Sequence, residues 1–406
     1  MRQIWKSFRA LYFASLMMLI GSGLLSTYLG LRLAADNVDS LWVGALMAAN
    51  YFGLVLGGKI GHRLIARVGH IRAYSACAGI VGAAVLGHGL VDWLPAWLFL
   101  RVIVGLGMMC QYMVIESWLN EQADANQRGM VFSGYMIASY LGLVLGQLIL
   151  VMHPALGLEL LMLVALCFAL CLVPVALTRR IHPAPLHPAP MEPRFFIKRV
   201  PQSLSTVLGA GLIVGSFYGL APLYASQQGL STEQVGLFMG SCIFAGLLVQ
   251  FCLYPLAVAF SNDHVEGDRR VSLTAMLLVT YGVGASIGPL VAGVLMKLFG
   301  SQMLYAFFSF FALVLVWRIR PKAVTNLHQV DDAPLHHVAM PDNMTSSPLV
   351  ACLDPRVDEQ VVQDQMHSPV STGPEPESEP VTETETDQPP QDPDTGRDPN
   401  FSEARP

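Results

Sequence analysis

The chain has 406 residues, 53% of them hydrophobic and only 13% charged, where a soluble domain carries about a quarter charged. Apolar runs of 18 residues or more recur along the first 320 positions, which excludes a soluble globular protein and predicts an all-α polytopic membrane protein. The net charge of −5 conceals a division: residues 1–330 hold 21 Lys/Arg against 12 Asp/Glu, whereas residues 331–406 hold 3 against 17.

A short basic leader (Arg2, Lys6, Arg9) opens the chain. The first apolar stretch, Phe8 to Leu33, is too long for a signal peptide and ends in no small-residue cleavage site, so it reads as a retained span. Spans are expected at 10–33, 41–61, 72–94, 96–119, 129–152 and 156–178. A connector at 179–203 follows, rich in Pro, His and basic residues, then spans at 204–226, 235–260, 271–298 and 301–318. That makes ten. With the N-terminus inside, 18 of the 21 cations of residues 1–330 fall on inner segments, and Arg32 and Lys297 fall outside. Both termini are therefore expected in the cytoplasm of a bacterial inner membrane. The tail, 321–406, has no apolar period; its acidic, proline-rich end is expected to be disordered. The seven cysteines show no ligand spacing, so no metal or other cofactor is expected.

The chain repeats itself. Gly23/Gly215, Val43-Gly44/Val235-Gly236, Met47/Met239 and Phe52/Phe244 stand 192 residues apart. Further on, Cys110/Cys252, Tyr112/Tyr254, Arg128/Arg270, Gly142/Gly284 and Gly146/Gly288 stand 142 apart. The offset therefore drops by 50 residues, about two crossings, within Val249–Cys252. The segment 235–260 would then be a fused span.

Several motifs join this pattern. Gly57-Gly58-Lys59 leads through Gly61-His62-Arg63 to Arg67-Val68-Gly69-His70-Ile71-Arg72. Arg101-Val-Ile-Val-Gly105-Leu-Gly107 follows in the fourth span, and Glu121 to Arg128-Gly129 in the next loop. Together they resemble the inner-loop and fourth-span motifs of the major facilitator superfamily (MFS). Glu116-Ser117-Trp118-Leu119-Asn120 and Asn262-Asp263-His264-Val265-Glu266 are similar to its YcaD-like bacterial branch. The resemblance implies two bundles of six helices with a substrate site between them. It implies a gating loop at Arg67, Gly69, Arg72 and Arg128, although Ala66 stands where the family has Asp. Here the expected layout is a six-helix bundle at 1–178, a cytoplasmic connector at 179–203, and an incomplete bundle of about four helices at 204–320.

Arg101 is the most informative single residue, because a guanidinium in a span costs about 2.5–3.5 kcal/mol and needs a cavity or a partner. Its readings are an anion or coupling contact, or snorkelling to the outer surface. Glu116 lies fifteen residues on, roughly 22 Å along the helix, too far to pair with Arg101; a coupling acid and a structural contact to the basic loop both fit. His88 fits a proton shuttle or a hydrogen-bonded core histidine. Asn50, Gln111, Tyr112, Gln147, Tyr218, Tyr224, Tyr254 and Tyr281 are polar points that must face helices or a cavity. Gly142 to Gly146 and Gly284 to Gly288 suit close helix approach. No spaced-glycine phosphate loop, nucleophile triad or paired carboxylate is present, so neither primary pumping nor an enzyme is expected.

The sequence thus points to a secondary transporter of a small organic solute working by alternating access, with proton coupling open and no nucleic acid involved. Transport would be impaired unless another chain completes the cavity. A non-transporting scaffold or sensor using the acidic tail is the alternative.

Overall fold

The computed structural model describes residues 2–122, 128–177, 193–249 and 270–318, together with 257, 260, 261, 264 and 265. Among these, every regular element is helical: α1 (Arg2–Ala35), α2 (Ser40–Val68), α3 (His70–Leu90), α4 (Leu94–Gln122), α5 (Arg128–Met152), α6 (Leu158–Ala176), α7 (Pro193–Arg199), α8 (Pro201–Gln227), α9 (Thr232–Val249), α10 (Arg270–Phe299) and α11 (Met303–Arg318). Eight are long and apolar enough to cross a bilayer: α1 to α6, α8 and α10. The apolar helices α9 (18 residues) and α11 (16 residues) stand at the remaining two expected spans. Helix is the required answer, because a lone segment in hydrocarbon satisfies its own N–H and C=O groups only that way.

Most helices outrun their expected spans. α2 continues to Val68 where the apolar run suggested 61, and α4 to Gln122. Hydropathy marks the part of a helix lying in lipid, whereas the hydrogen-bond ladder continues into the polar ends. Within the connector expected at 179–203, Pro193–Arg199 is a short helix, and α8 starts at Pro201, three residues before its expected span. A seven-residue basic helix is too short for the apolar period to show, and proline at a first helical position favours the start it makes. Residues 250–256, which include most of the expected fusion point, lie outside the described residues, as do 178–192 and the tail from 319.

α1 packs on α5 and α6, α2 on α4, and α3 on α4 and α6. In the second set α8 packs on α9, α10 and α11. The glycines show how these sets correspond. A methyl group on Gly142 would strike the Leu16 carbonyl, and one on Gly146 the Ile20 carbonyl. On Gly284 and Gly288 it would strike the carbonyls of Leu208 and Leu212. Leu208 and Leu212 are the offset-192 counterparts of Leu16 and Ile20, while the glycines are related by offset 142. The two registers thus meet in one contact, α5 on α1 and α10 on α8.

The same correspondence governs the contact between the sets. Gly44 of α2 lies against Pro289 and Gly293 of α10, and Gly236 of α9 lies against Gln147 and Val151 of α5. Every residue of the first contact maps onto the second, with the sets exchanged. This is the signature of a twofold relation, in which one patch serves both sides of an interface. Gly142 and Gly284 are related by it.

Between α2 and α3 the chain turns on one residue. Gly69 closes α2 at φ 84°, ψ 164°, its N–H donating to the Ile65 carbonyl at 2.8 Å, and its own carbonyl accepts from Ala73 N–H at 3.0 Å. That backbone region is open essentially only to glycine, which gives the motif glycine a local reason. Gly69→Ala should cost about 1–3 kcal/mol, read as a lower melting temperature in detergent; an unchanged melting curve would mean the turn relaxes freely.

Candidate functional site

α4 carries the buried polar residues that matter most, and α2 and α5 hold them. Arg101 is 1% exposed, so the snorkelling alternative fails. Its Nη2 donates to the Met47 thioether at 3.8 Å, a weak acceptor, and its Nε has no partner. Tyr51 of α2 and His88 of α3 lie within electrostatic reach. Met47 in turn fills the space beside Gly219 of α8, so Arg101 sits one side chain away from the second set. His88 points Nδ1 at the Ala84 carbonyl, 2.8 Å away, leaving Nε2 without a partner, and packs edge-on to Trp97. It is a core histidine with one free nitrogen.

Glu116 is fully buried, and the Tyr135 hydroxyl of α5 donates to its Oε1 at 3.0 Å. This bond ties α4 to α5, a contact that spacing along the chain does not reveal, because Tyr135 lies 19 positions downstream in another helix. Tyr112 is buried one turn before Glu116. Gln111 turns the other way: its Nε2 donates to Cys171 Sγ of α6 at 3.6 Å and its Oε1 has no partner. Tyr74 of α3 reaches the Cys171 carbonyl at 3.5 Å. Gln111 therefore belongs to the α3–α4–α6 interior and stands apart from Arg101.

Asn50 is buried where its backbone touches Gly105, and its Oδ1 is unpartnered. Gln147 donates from Nε2 to the Gly23 carbonyl at 3.2 Å, and its Oε1 is unpartnered at the α1–α5–α9 junction. Tyr281 is buried in α10, and Tyr218 is half-buried in α8, edge-on to Phe217. Arg67 and Arg72 are exposed either side of Gly69. Arg128 opens α5, but its side chain and all of Tyr254 lie outside the described residues.

The end of the bundle that carries the α1–α2 turn, assigned to the outside by the cation count, is closed by side chains from both sets. Ser40 Oγ donates to the Gly293 carbonyl at 2.8 Å, and Lys297 Nζ pairs with Asp39 Oδ2 at 2.6 Å. Beside them lies a cavity of about 440 Å³ lined by Asn37, Asp39, Ser40, Leu223, Gln227 and Lys297, among others. Lys297 was legible only as an outer charge; its pairing with Asp39 needs a contact 258 positions apart.

These features agree with what the chain is similar to. An MFS-type transporter of Enterobacter sp. (strain 638) is 25% identical over 357 residues, covering 94% of that protein and 76% of this chain. Since 76% of 406 is about 309, some 48 residues of that relative face nothing here, the size of the step in the repeat. YcaD, an MFS-type transporter of Salmonella enteritidis PT4 (strain P125109), is likewise 25% identical, over 93% of its length and 75% of this chain. Among solved structures, a mutant of the nucleoside transporter NupG superposes with a TM-score of 0.66 at 15% identity, covering 78% of this chain and 99% of that one. A bacterial homologue of the human lysosomal transporter Spinster, inward-facing and unoccupied, gives 0.56 at 14% identity over 88% and 95%. At such identities the likeness is one of fold. The Major Facilitator Superfamily model matches residues 11–253, ending just past the step in offset. By that match, and by the paired glycine contacts that give it physical form, the chain belongs to the Major Facilitator Superfamily.

Proposed function

We propose that the protein is a multi-pass bacterial inner-membrane transporter that moves a small organic solute by alternating access, with both termini in the cytoplasm. The two moving bodies are residues 1–178 and 204–320, carried by the connector between them. The observation that supports this best is the exchange-symmetric contact of Gly44 with Pro289 and Gly236 with Gln147. Two bodies meeting through one repeated patch can rock about it, and the Ser40 and Lys297 bonds hold them together at the outer end. Substrate would then enter or leave from the cytoplasmic side. Glu116 is the acid for proton coupling: protonated, it loses the negative charge that draws the Tyr135 hydroxyl, which loosens α4 from α5.

The outer closure is weak enough to test. A half-exposed ion pair contributes about 0–1 kcal/mol and one hydrogen bond about 1 kcal/mol. The double substitution S40A/K297Q should therefore shift the closed-to-open ratio roughly 5- to 30-fold. Maleimide labelling of Leu223→Cys in the outer cavity should speed up by that factor, while labelling of Ala66→Cys at the far end of α2 slows. Opposite changes are the mark of alternation. If both sites speed up, or neither moves, the reading fails.

A further inference from the structure

The helices α8, α9 and α11 leave a strip of their surface uncovered, and the twofold relation identifies it. Leu46, Asn50 and Gly53 of α2 are all buried, facing α4. Their offset-192 counterparts on α9 are Phe238 and Cys242, both half-exposed, and Ala245, exposed. Leu25 of α1 is fully buried, and its counterpart Phe217 on α8 is half-exposed. Among the described helices nothing packs on α9 as α4 packs on α2. By the twofold relation, the strip is the face of α9 that corresponds to the α4-facing side of α2.

Its lining is aromatic, with hydroxyls at one end. Phe217 lies 6.5 Å from Phe308 of α11, Phe308 lies 5.8 Å from Tyr305, and Tyr305 lies 4.8 Å from Tyr224. Cys242 of α9 lies near Tyr305 across the strip. At the outer end Tyr224 donates to Gln302 at 3.4 Å, and Gln228 donates to Ser301 at 3.1 Å. Phe217 is edge-on to Tyr218, whose counterpart on α1 is Ser26. Ala245 lies thirteen residues into α9, about 20 Å along it, well within the depth of the hydrocarbon core.

We propose that this strip is a lateral binding site for a single-chain amphiphile drawn from the bilayer. Its polar, uncharged head bonds to the Tyr224, Tyr305 and Gln302 cluster, and its chain lies along Phe217, Phe308, Cys242 and Ala245. Two observations select this occupant. The strip opens at bilayer depth, so its occupant partitions into lipid, and among the described residues the hydrogen-bonding side chains of its lining, Tyr224, Gln228, Ser301 and Gln302, gather at its outer end, which fits a molecule with one polar end. The inference deepens the transport reading by naming a substrate class, and rests on it only for the claim that the amphiphile is moved.

The test uses the full chain in nanodiscs and a C16 monoacylglycerol with a mid-chain diazirine. Photolabelling followed by peptide mapping should place the label on the strip at least fivefold above Ile80 of α3 and Leu166 of α6, which are also exposed to lipid. Unlabelled monopalmitin should compete, and glycerol should not. Ala245→Trp should remove the strip label and leave the labels at Ile80 and Leu166 unchanged; Cys242→Phe serves the same purpose should the tryptophan variant not fold. Label spread evenly over all lipid-facing helices, or strip label indifferent to both substitutions, overturns the proposal in favour of annular lipid. No strip label together with an interchain cross-link overturns it in favour of a second copy. Alternation is read separately, by the two cysteine labelling rates, so either claim can fail alone.

Discussion

Arg101→Met should leave the protein at least as stable as the parent while solute exchange falls tenfold or more. The two expectations have opposite signs for one reason. Arg101 is 1% exposed, its Nε is unpartnered among the described residues, and its Nη2 donates to a thioether. Holding a guanidinium with one unpartnered N–H at that depth costs up to about 2.5–3.5 kcal/mol, and methionine of similar length removes the cost. A residue retained against stability serves something else, and the free Nε–H beside Met47, at the boundary with α8, is placed to meet a group that arrives during the transport cycle. Thermal unfolding in detergent and counterflow in proteoliposomes measure the two quantities. A lower melting temperature with unchanged exchange would make Arg101 a structural residue.

Gly44→Val and Gly236→Val should behave as a pair, each raising outer-cavity labelling of Leu223→Cys and lowering stability. A side chain on Gly44 drives into Pro289 and Gly293; one on Gly236 meets the Gln147 carbonyl and Val151. The Gly44 contacts are all with backbone, which cannot swing aside, and those of Gly236 are with the Val151 side chain and the Gln147 backbone carbonyl; such overpacking costs typically about 1–3 kcal/mol. The cost falls on the closed outer end, because separating the two sets relieves it. Gly79→Val is the control, since nothing lies within 4 Å of a methyl group there. If one member of the pair opens the outer end and its counterpart does not, the twofold relation does not govern the motion.

Arg101 and Glu116 stood out in the sequence because charge in an apolar run is rare, yet neither revealed its partner. Met47 lies 54 positions from Arg101 and Tyr135 lies 19 from Glu116. Such partners are chosen by which helix faces which, and hydropathy carries no azimuth. Gln111 shows the limit from the other side: next to Tyr112 in sequence, it turns to Cys171 and the α3–α6 interior.

By itself the sequence determined that the chain is helical and lies in the membrane, because an apolar run of that length has no other way to satisfy its backbone. It determined the repeat and the step of 50 as well, since glycines needed for close approach leave a spacing that can be read along the chain. Only the tertiary structure decided which faces meet: that Gly44 finds Pro289 while Gly236 finds Gln147, that Lys297 reaches Asp39, and that Phe217 and Ala245 are left uncovered. Those outcomes depend on helix rotation about the axis and on contacts up to 258 residues apart. Packing fixes such quantities between helices, and composition within one helix does not encode them.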